Sequence, residues 1–125
     1  MPDLSINLGD IFLINTPNKS HYFIAIAKIN HDKYLFVSVI TKKPNSELAC
    51  VLSPGFNSPR FIVKESVIDY RYAREMNSKQ LNRAIGSSTF RDCCLPEILQ
   101  KIQQGGIISK RLKNKYKDIL KPYCM

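Results

Sequence analysis

The chain has 125 residues, 44% of them hydrophobic, and carries 19 Lys+Arg against 10 Asp+Glu, a formal net charge of +9. That size predicts one domain, residues 1–125, able to bury its own core, and the composition excludes low-complexity and repeat chains and disorder beyond the termini. The charge excess points to a polyanionic partner, nucleic acid first; a solvated basic surface or an acidic protein partner are the alternatives.

In chain order, Leu8, Gly9 and Asp10 open a strand over 11–14 that is apolar at every position, so both of its faces are expected to be covered. A polar loop over 15–20 delivers the chain to its longest β-forming stretch, 21–41. There, two runs rich in β-branched and aromatic residues flank His31 and Asp32, the pattern of a β-hairpin. With the reversal centred near His31, His21 and Thr41 are expected to face each other at the open end of the hairpin, side chains on one face. A slip of one residue would put them on opposite faces.

A second polar loop over 42–47 contains Pro44, which rules out a central strand there. Short strands are predicted over 48–52, 60–64 and 66–72, separated by the turns at Pro54-Gly55 and Ser58-Pro59. Six short strands with frequent turns predict a small closed or nearly closed barrel over 8–75. Residues 76–125 read as helical. Ser78 caps a short helix stopped at Gly86, and Pro96 opens a second that Gly105-Gly106 should end. Ser109 caps a third, ended by Pro122. That last segment carries Lys110, Arg111, Lys113, Lys115, Lys117 and Lys121 against Asp118, either a solvated face or a phosphate-contacting one.

Cys50, Cys93, Cys94 and Cys124 form no Cys-x-x-Cys pair, and His21 and His31 add no zinc spacing. Buried free thiols in a reducing compartment are the expectation, with no metal and no cofactor. The first residues show no hydrophobic signal segment, and the longest apolar run, 22–27, is far too short to span a bilayer. A cytoplasmic protein without a membrane partner follows as the expectation.

Gly9-Asp10-Ile11 opening a hydrophobic strand, an apolar strand beginning near Ser20-His21, and the strand ending Val39-Ile40-Thr41 resemble the MazF/PemK toxin family over about residues 8–75. The resemblance implies a mainly β fold, a small SH3-like barrel of the MazF/PemK/CcdB type with C-terminal helices. It also implies a toxin of a type II toxin–antitoxin system. Such a toxin is a metal-independent endoribonuclease that cuts single-stranded RNA, usually as a homodimer, and is neutralised by a cognate antitoxin. Thr41 matches the family's catalytic Ser/Thr, and Cys50, Phe61, Ser66 and Tyr70 fit its pattern. The archetype has a catalytic arginine in an Arg-Pro pair at the start of its second strand; here Ser20-His21-Tyr22 stands in that place.

RNA cleavage through the neighbouring 2′-hydroxyl needs a base, a stabiliser of the phosphorane, and a proton for the leaving 5′-oxygen. His21 is the candidate acid/base, because imidazole titrates near neutrality, and Thr41 a candidate phosphate donor. Lys42, Lys43, Arg60, Lys64 and Arg71, with Ser66 as a polar contact, are candidates for binding RNA phosphates. Tyr70 and Tyr72 flank Arg71 and serve either as barrel core or as a stacking surface for bases. Two other functions fit the same sequence: a non-catalytic SH3-like module binding nucleic acid or protein, and a gyrase-poisoning toxin like CcdB.

Overall fold

The computed structural model describes residues 5–15, 19–55, 57–88 and 90–124. Of the loop expected over 15–20, residues 16–18 lie outside the described residues. The expected hairpin forms: β2 (Ser20–Asn30) turns at His31-Asp32 into β3 (Lys33–Thr41), and the Asn30 side chain accepts the Asp32 amide at 3.0 Å. β1 (Asp10–Asn15) pairs antiparallel with β2, and its alternation feeds both faces, Ile11 to one and Phe12 and Ile14 to the other. β4 (Val51–Leu52) is a fragment of the strand expected over 48–52, and β5 (Ser66–Asn77) runs past the expected end at 72.

The segment 60–64 is a turn and not a strand; Pro59 accepts the Ile62 amide, and Phe61 and Ile62 pack inward as loop residues. The sixth strand is instead β6 (Arg91–Cys93), which pairs with β1 and is too short and polar to show a strand pattern in sequence. The six strands lie in the order β4-β5-β3-β2-β1-β6, all antiparallel, as a curled half-barrel whose edges do not meet. A fully closed barrel is thus not formed. Ile102, Tyr116 and Leu120 of the helices, with Leu112 of the segment between them, pack into the core on one face of the curl.

Three helices follow. α1 (Ser78–Ile85) is capped one residue earlier than expected: the Asn77 side chain accepts the Gln80 amide at 2.8 Å, and Gln80 Oε1 accepts the Asn77 amide at 2.9 Å. α2 (Pro96–Ile108) begins at its proline as expected but runs through Gly105 and Gly106. These glycines are packing residues and not a stop. A Cβ on Gly105 would collide with the Tyr70 hydroxyl and lie 2.8 Å from Cys50 Cβ, and one on Gly106 would collide with Leu120. Ser109 caps a non-helical turn, its hydroxyl accepting the Arg111 and Leu112 amides, and α3 (Asn114–Leu120) starts after it. A 3-10 helix, Lys121–Cys124, completes the described chain. Among the described residues, no helix is long and apolar enough to cross a membrane.

Irregularities in the sheet decide where the polar residues go. In β2 the pairing skips Ile26, whose carbonyl is taken instead by Gln103 Nε2 of α2 at 2.8 Å. Nearby, the Lys28 amide donates to Tyr123 Oη at 3.1 Å. In β5, residues 70–73 stand against Val37 alone. This bulge places Asp69 opposite Ser38 and Arg74 opposite Phe36.

Candidate anion-binding groove

Phe23 of β2 pairs with Ser38 of β3, which pairs with Asp69 of β5, so these side chains form one row across three strands. The adjacent row on the same face is Ala25, Phe36 and Arg74. His21 lies two residues before Phe23 and shares its face. The His21 ring stands edge-on to the Phe23 ring at 6.4 Å between centroids. The Arg74 guanidinium lies 5.1 Å from the centre of that same ring. Phe23 therefore sits between an imidazole and a guanidinium that are far apart in sequence.

His21, Phe23, Ser38, Asp69 and Arg74 line a groove of about 690 Å³. Its cations are Lys19, Lys43, Arg71, Arg74 and Arg111, and Asp69 is its one acid among the described lining residues. Asp69 is buried and lies 3.6 Å from Arg71, so the carboxylate orients that guanidinium at the cost of part of its charge. Arg71 also stacks over the Tyr72 ring at 4.5 Å, and Tyr72 is 62% exposed. The β5 bulge causes this exposure, since it turns residues 71 and 72 outward while Tyr70 remains in the core.

Arg74 Nε is buried and has no hydrogen-bond partner among the described residues. A buried guanidinium donor left unpaired costs free energy. The groove is thus a concave, mostly cationic surface with an aromatic edge and a donor awaiting an acceptor, features that suit an oxyanion attached to a planar ring.

The sequence-level candidates divide. His21, Thr41, Lys43 and Arg71 line the groove. His21 and Thr41 are not cross-strand partners, however. Lys28 opposite Tyr34 and Ala27 opposite Leu35 fit a reversal at His31, but skipping Ile26 shifts the pairing by one residue, to Tyr22 opposite Val39. That register sets His21 toward Ile40 and puts Thr41 on the other face, where it pairs with Ser66. Thr41 reaches the groove only at the strand end and also borders two neighbouring hollows.

Lys42, Arg60, Lys64 and Ser66 lie outside the groove. Lys42 turns to Glu65 at 3.8 Å and shares a shallow hollow with Lys64. Arg60 pairs with Asp92 of β6 at 4.0 Å, and the buried Ser66 hydroxyl donates to the Lys64 carbonyl at 2.9 Å. Sequence reasoning missed Lys19, Ser38, Asp69 and Arg74, and named Arg111 only within the basic C-terminal segment. A lone acid, Asp69, just before a run with two arginines was the available signal; nothing local announced the bulge that brings Arg74 beside Phe23.

The aromatic residues Tyr22 and Phe61 stack at 3.9 Å on the face opposite His21, with Phe90 edge-on to Tyr22 at 5.1 Å. Tyr70 is core, its hydroxyl donating to the Ile102 carbonyl at 2.6 Å. Burial pushes the neighbouring Cys50 thiol up to about 11 and Cys94 likewise to about 11; all four cysteines are free, but against expectation Cys50 alone of the four is fully buried and Cys93 is exposed. Among the described residues no cluster of three or more His, Cys, Asp or Glu side chains is in position to hold a metal ion. Comparison of the chain with protein-family models, with curated proteins and with solved structures found no match.

Proposed function

We propose that the groove binds single-stranded RNA and that His21 cuts it without a metal, as in the MazF/PemK toxins that the sequence resembles. The observation that carries this reading is the placement of His21 and Arg74 on one aromatic ring, inside a groove whose charge is overwhelmingly positive. The curled antiparallel sheet with appended helices supports assigning the chain to the small SH3-like barrels of that family.

In this mechanism the neutral His21 imidazole takes the 2′-proton as the 2′-oxygen attacks phosphorus. The bond to the 5′-oxygen breaks, a 2′,3′-cyclic phosphate forms, and solvent at the open mouth of the groove protonates the leaving oxygen. Arg71 and Arg74 offset the charge that accumulates on the phosphorane, and this is where preorganised donors act most strongly. Thr41 donates to a phosphate oxygen at the groove end. A base stacks on Tyr72, backed by Arg71. The biological setting is a toxin working as a homodimer, and its cognate antitoxin neutralises it by laying acidic side chains over these cations.

The test is incubation of the protein with a long RNA in EDTA, followed by mapping of the ends. Discrete cuts with 2′,3′-cyclic phosphate ends, lost in a folded His21→Ala protein, are the expected result. Normal cutting by that variant would remove His21 from the mechanism.

One observation favours a second reading, a binding module without turnover. Among the described residues the His21 side chain has its ring contact with Phe23 and no carboxylate beside it to hold the imidazole in place. Salt-dependent RNA binding with the RNA left intact would establish that reading.

A further inference from the structure

The groove has a rim that belongs neither to β2 nor to β5. Residues 42–46 make a tight turn in which the Lys43 amide donates to Ser46 Oγ at 2.8 Å and the Ser46 amide to the Lys43 carbonyl at 3.0 Å. The next residue, Glu47, crosses to the connection between α2 and α3. The Ser109 hydroxyl donates to its Oε1 at 2.6 Å and the Lys110 amide to its Oε2 at 2.8 Å. Arg111 then reaches back, its Nη2 donating to the Asn45 carbonyl at 3.4 Å. Both Lys43 and Arg111 line the groove.

We propose that Glu47 is a positioning residue that latches this turn to the α2–α3 connection, fixing Lys43 and Arg111 as a second phosphate contact for an RNA strand leaving the groove. The proposal rests on the RNA reading given above and adds a footprint to it. Two features carry it. Both Glu47 oxygens are used in hydrogen bonds to neutral donors, a hydroxyl and a backbone amide, an arrangement that holds two segments in a fixed relation. Among the described residues neither Lys43 nor Arg111 pairs with a carboxylate, so the latch leaves the charge of the rim available to a ligand. A strand with one phosphate facing Arg74 and a later one over the rim would be read by both edges of the groove.

The experiment uses the full chain and two non-cleavable 2′-O-methyl RNA probes, a trinucleotide and a decanucleotide, with amide hydrogen exchange as a readout independent of RNA. Glu47→Ala should speed exchange at Lys110, Lys43 and Ser46. It should weaken decanucleotide binding by about tenfold and flatten its salt dependence, while changing trinucleotide affinity by less than about twofold. Glu47→Gln keeps an acceptor for Ser109 and should fall between Glu47→Ala and the wild type. Arg111→Gln should reproduce the binding loss without the exchange change. Unchanged exchange or unchanged decanucleotide binding in Glu47→Ala overturns the proposal, and so does equal loss for both probes, which would mean that the whole groove collapsed. Wild-type protein that binds neither probe overturns the RNA reading itself, an outcome distinguishable from the others.

Discussion

The face of the sheet that carries Ile24, Val37 and Ile68 is closed over by α2 and α3, whereas the face that carries Phe23, Ser38 and Asp69 is covered by α1 at one end and left as a groove at the other. Polar groups are treated differently on the two. On the covered face Tyr70 donates to the Ile102 carbonyl and Gln103 to the Ile26 carbonyl, so buried donors meet buried acceptors. On the open face Arg74 Nε has no acceptor among the described residues, and cations outnumber the one acid. Satisfied polar groups hold the fold; unsatisfied ones mark the surface where a ligand is expected. Substitutions on the two faces should therefore fail in different ways.

The largest separation is expected from His21→Ala. If the groove is catalytic, cleavage should fall roughly 10²–10⁴-fold, and the melting temperature should stay near wild type because His21 is only partly buried and packs by a ring edge. RNA end mapping beside thermal unfolding reads both. A large stability loss would place His21 in the packing of Phe23 and not in chemistry.

Gly105→Ala attacks the other face. The new methyl would meet the Tyr70 hydroxyl, Cys50 Cβ at 2.8 Å and the Ala49 carbonyl at 2.9 Å. Overpacking and the strained Tyr70 hydrogen bond outweigh the gain in helix propensity, for a net loss of about 3 kcal/mol. RNA binding well below the melting temperature should be retained. Chemical denaturation and a binding assay, run together, check this.

These two sites also show what was legible from sequence. The hairpin was readable because its apolar runs and polar turn lie next to each other, and so were the starts of α1, to within one residue, and of α2, whose signals lie within a few residues. The irregularities were not. Ile26 leaves the ladder because Gln103, 77 residues later, takes its carbonyl, and the Lys28 amide goes to Tyr123, 95 residues later. The skip at Ile26 shifts the register that separates His21 from Thr41. Gly105 and Gly106 read as a helix stop because close approach to Tyr70 and Leu120 is a tertiary fact. The candidate site was half visible for the same reason: His21, Thr41 and Arg71 follow from strand position and Lys43 from the polar loop beside Thr41, but the place of Arg74 needs the bulge, and that of Arg111 the contact between the α2–α3 connection and the 42–46 turn.

A smaller effect uses pH. The Cys50 thiol, on the covered face, is pushed from 9.0 to about 11, chiefly by burial. Between those values the unfolded chain has released this proton while the folded chain keeps it. The unfolded state therefore binds fewer protons, and stability falls as pH rises through the window. The contribution of Cys50, intact below pH 9, should decline by about 2 kcal/mol by pH 11. Urea midpoints across that range should drop less steeply for Cys50→Ala than for wild type; parallel slopes would show that the thiol titrates alike in both states.

The smallest expected effect is the most discriminating, because its sign differs between stability and binding. Arg74→Met keeps the apolar stem and allows a sulfur–ring contact with Phe23, while removing the buried donor that has no partner. Loss of the cation–π contact and relief of the unpaired Nε act in opposite directions, and the second is the larger. The variant should be more stable by about 1 kcal/mol. Its RNA affinity should fall and the slope of log K against log salt should lessen by roughly 0.7, the share of one phosphate. Gain of stability with loss of binding is what a residue kept for a ligand produces. A loss of both would make Arg74 part of the fold, and the open face would then differ from the covered one only in being less well finished.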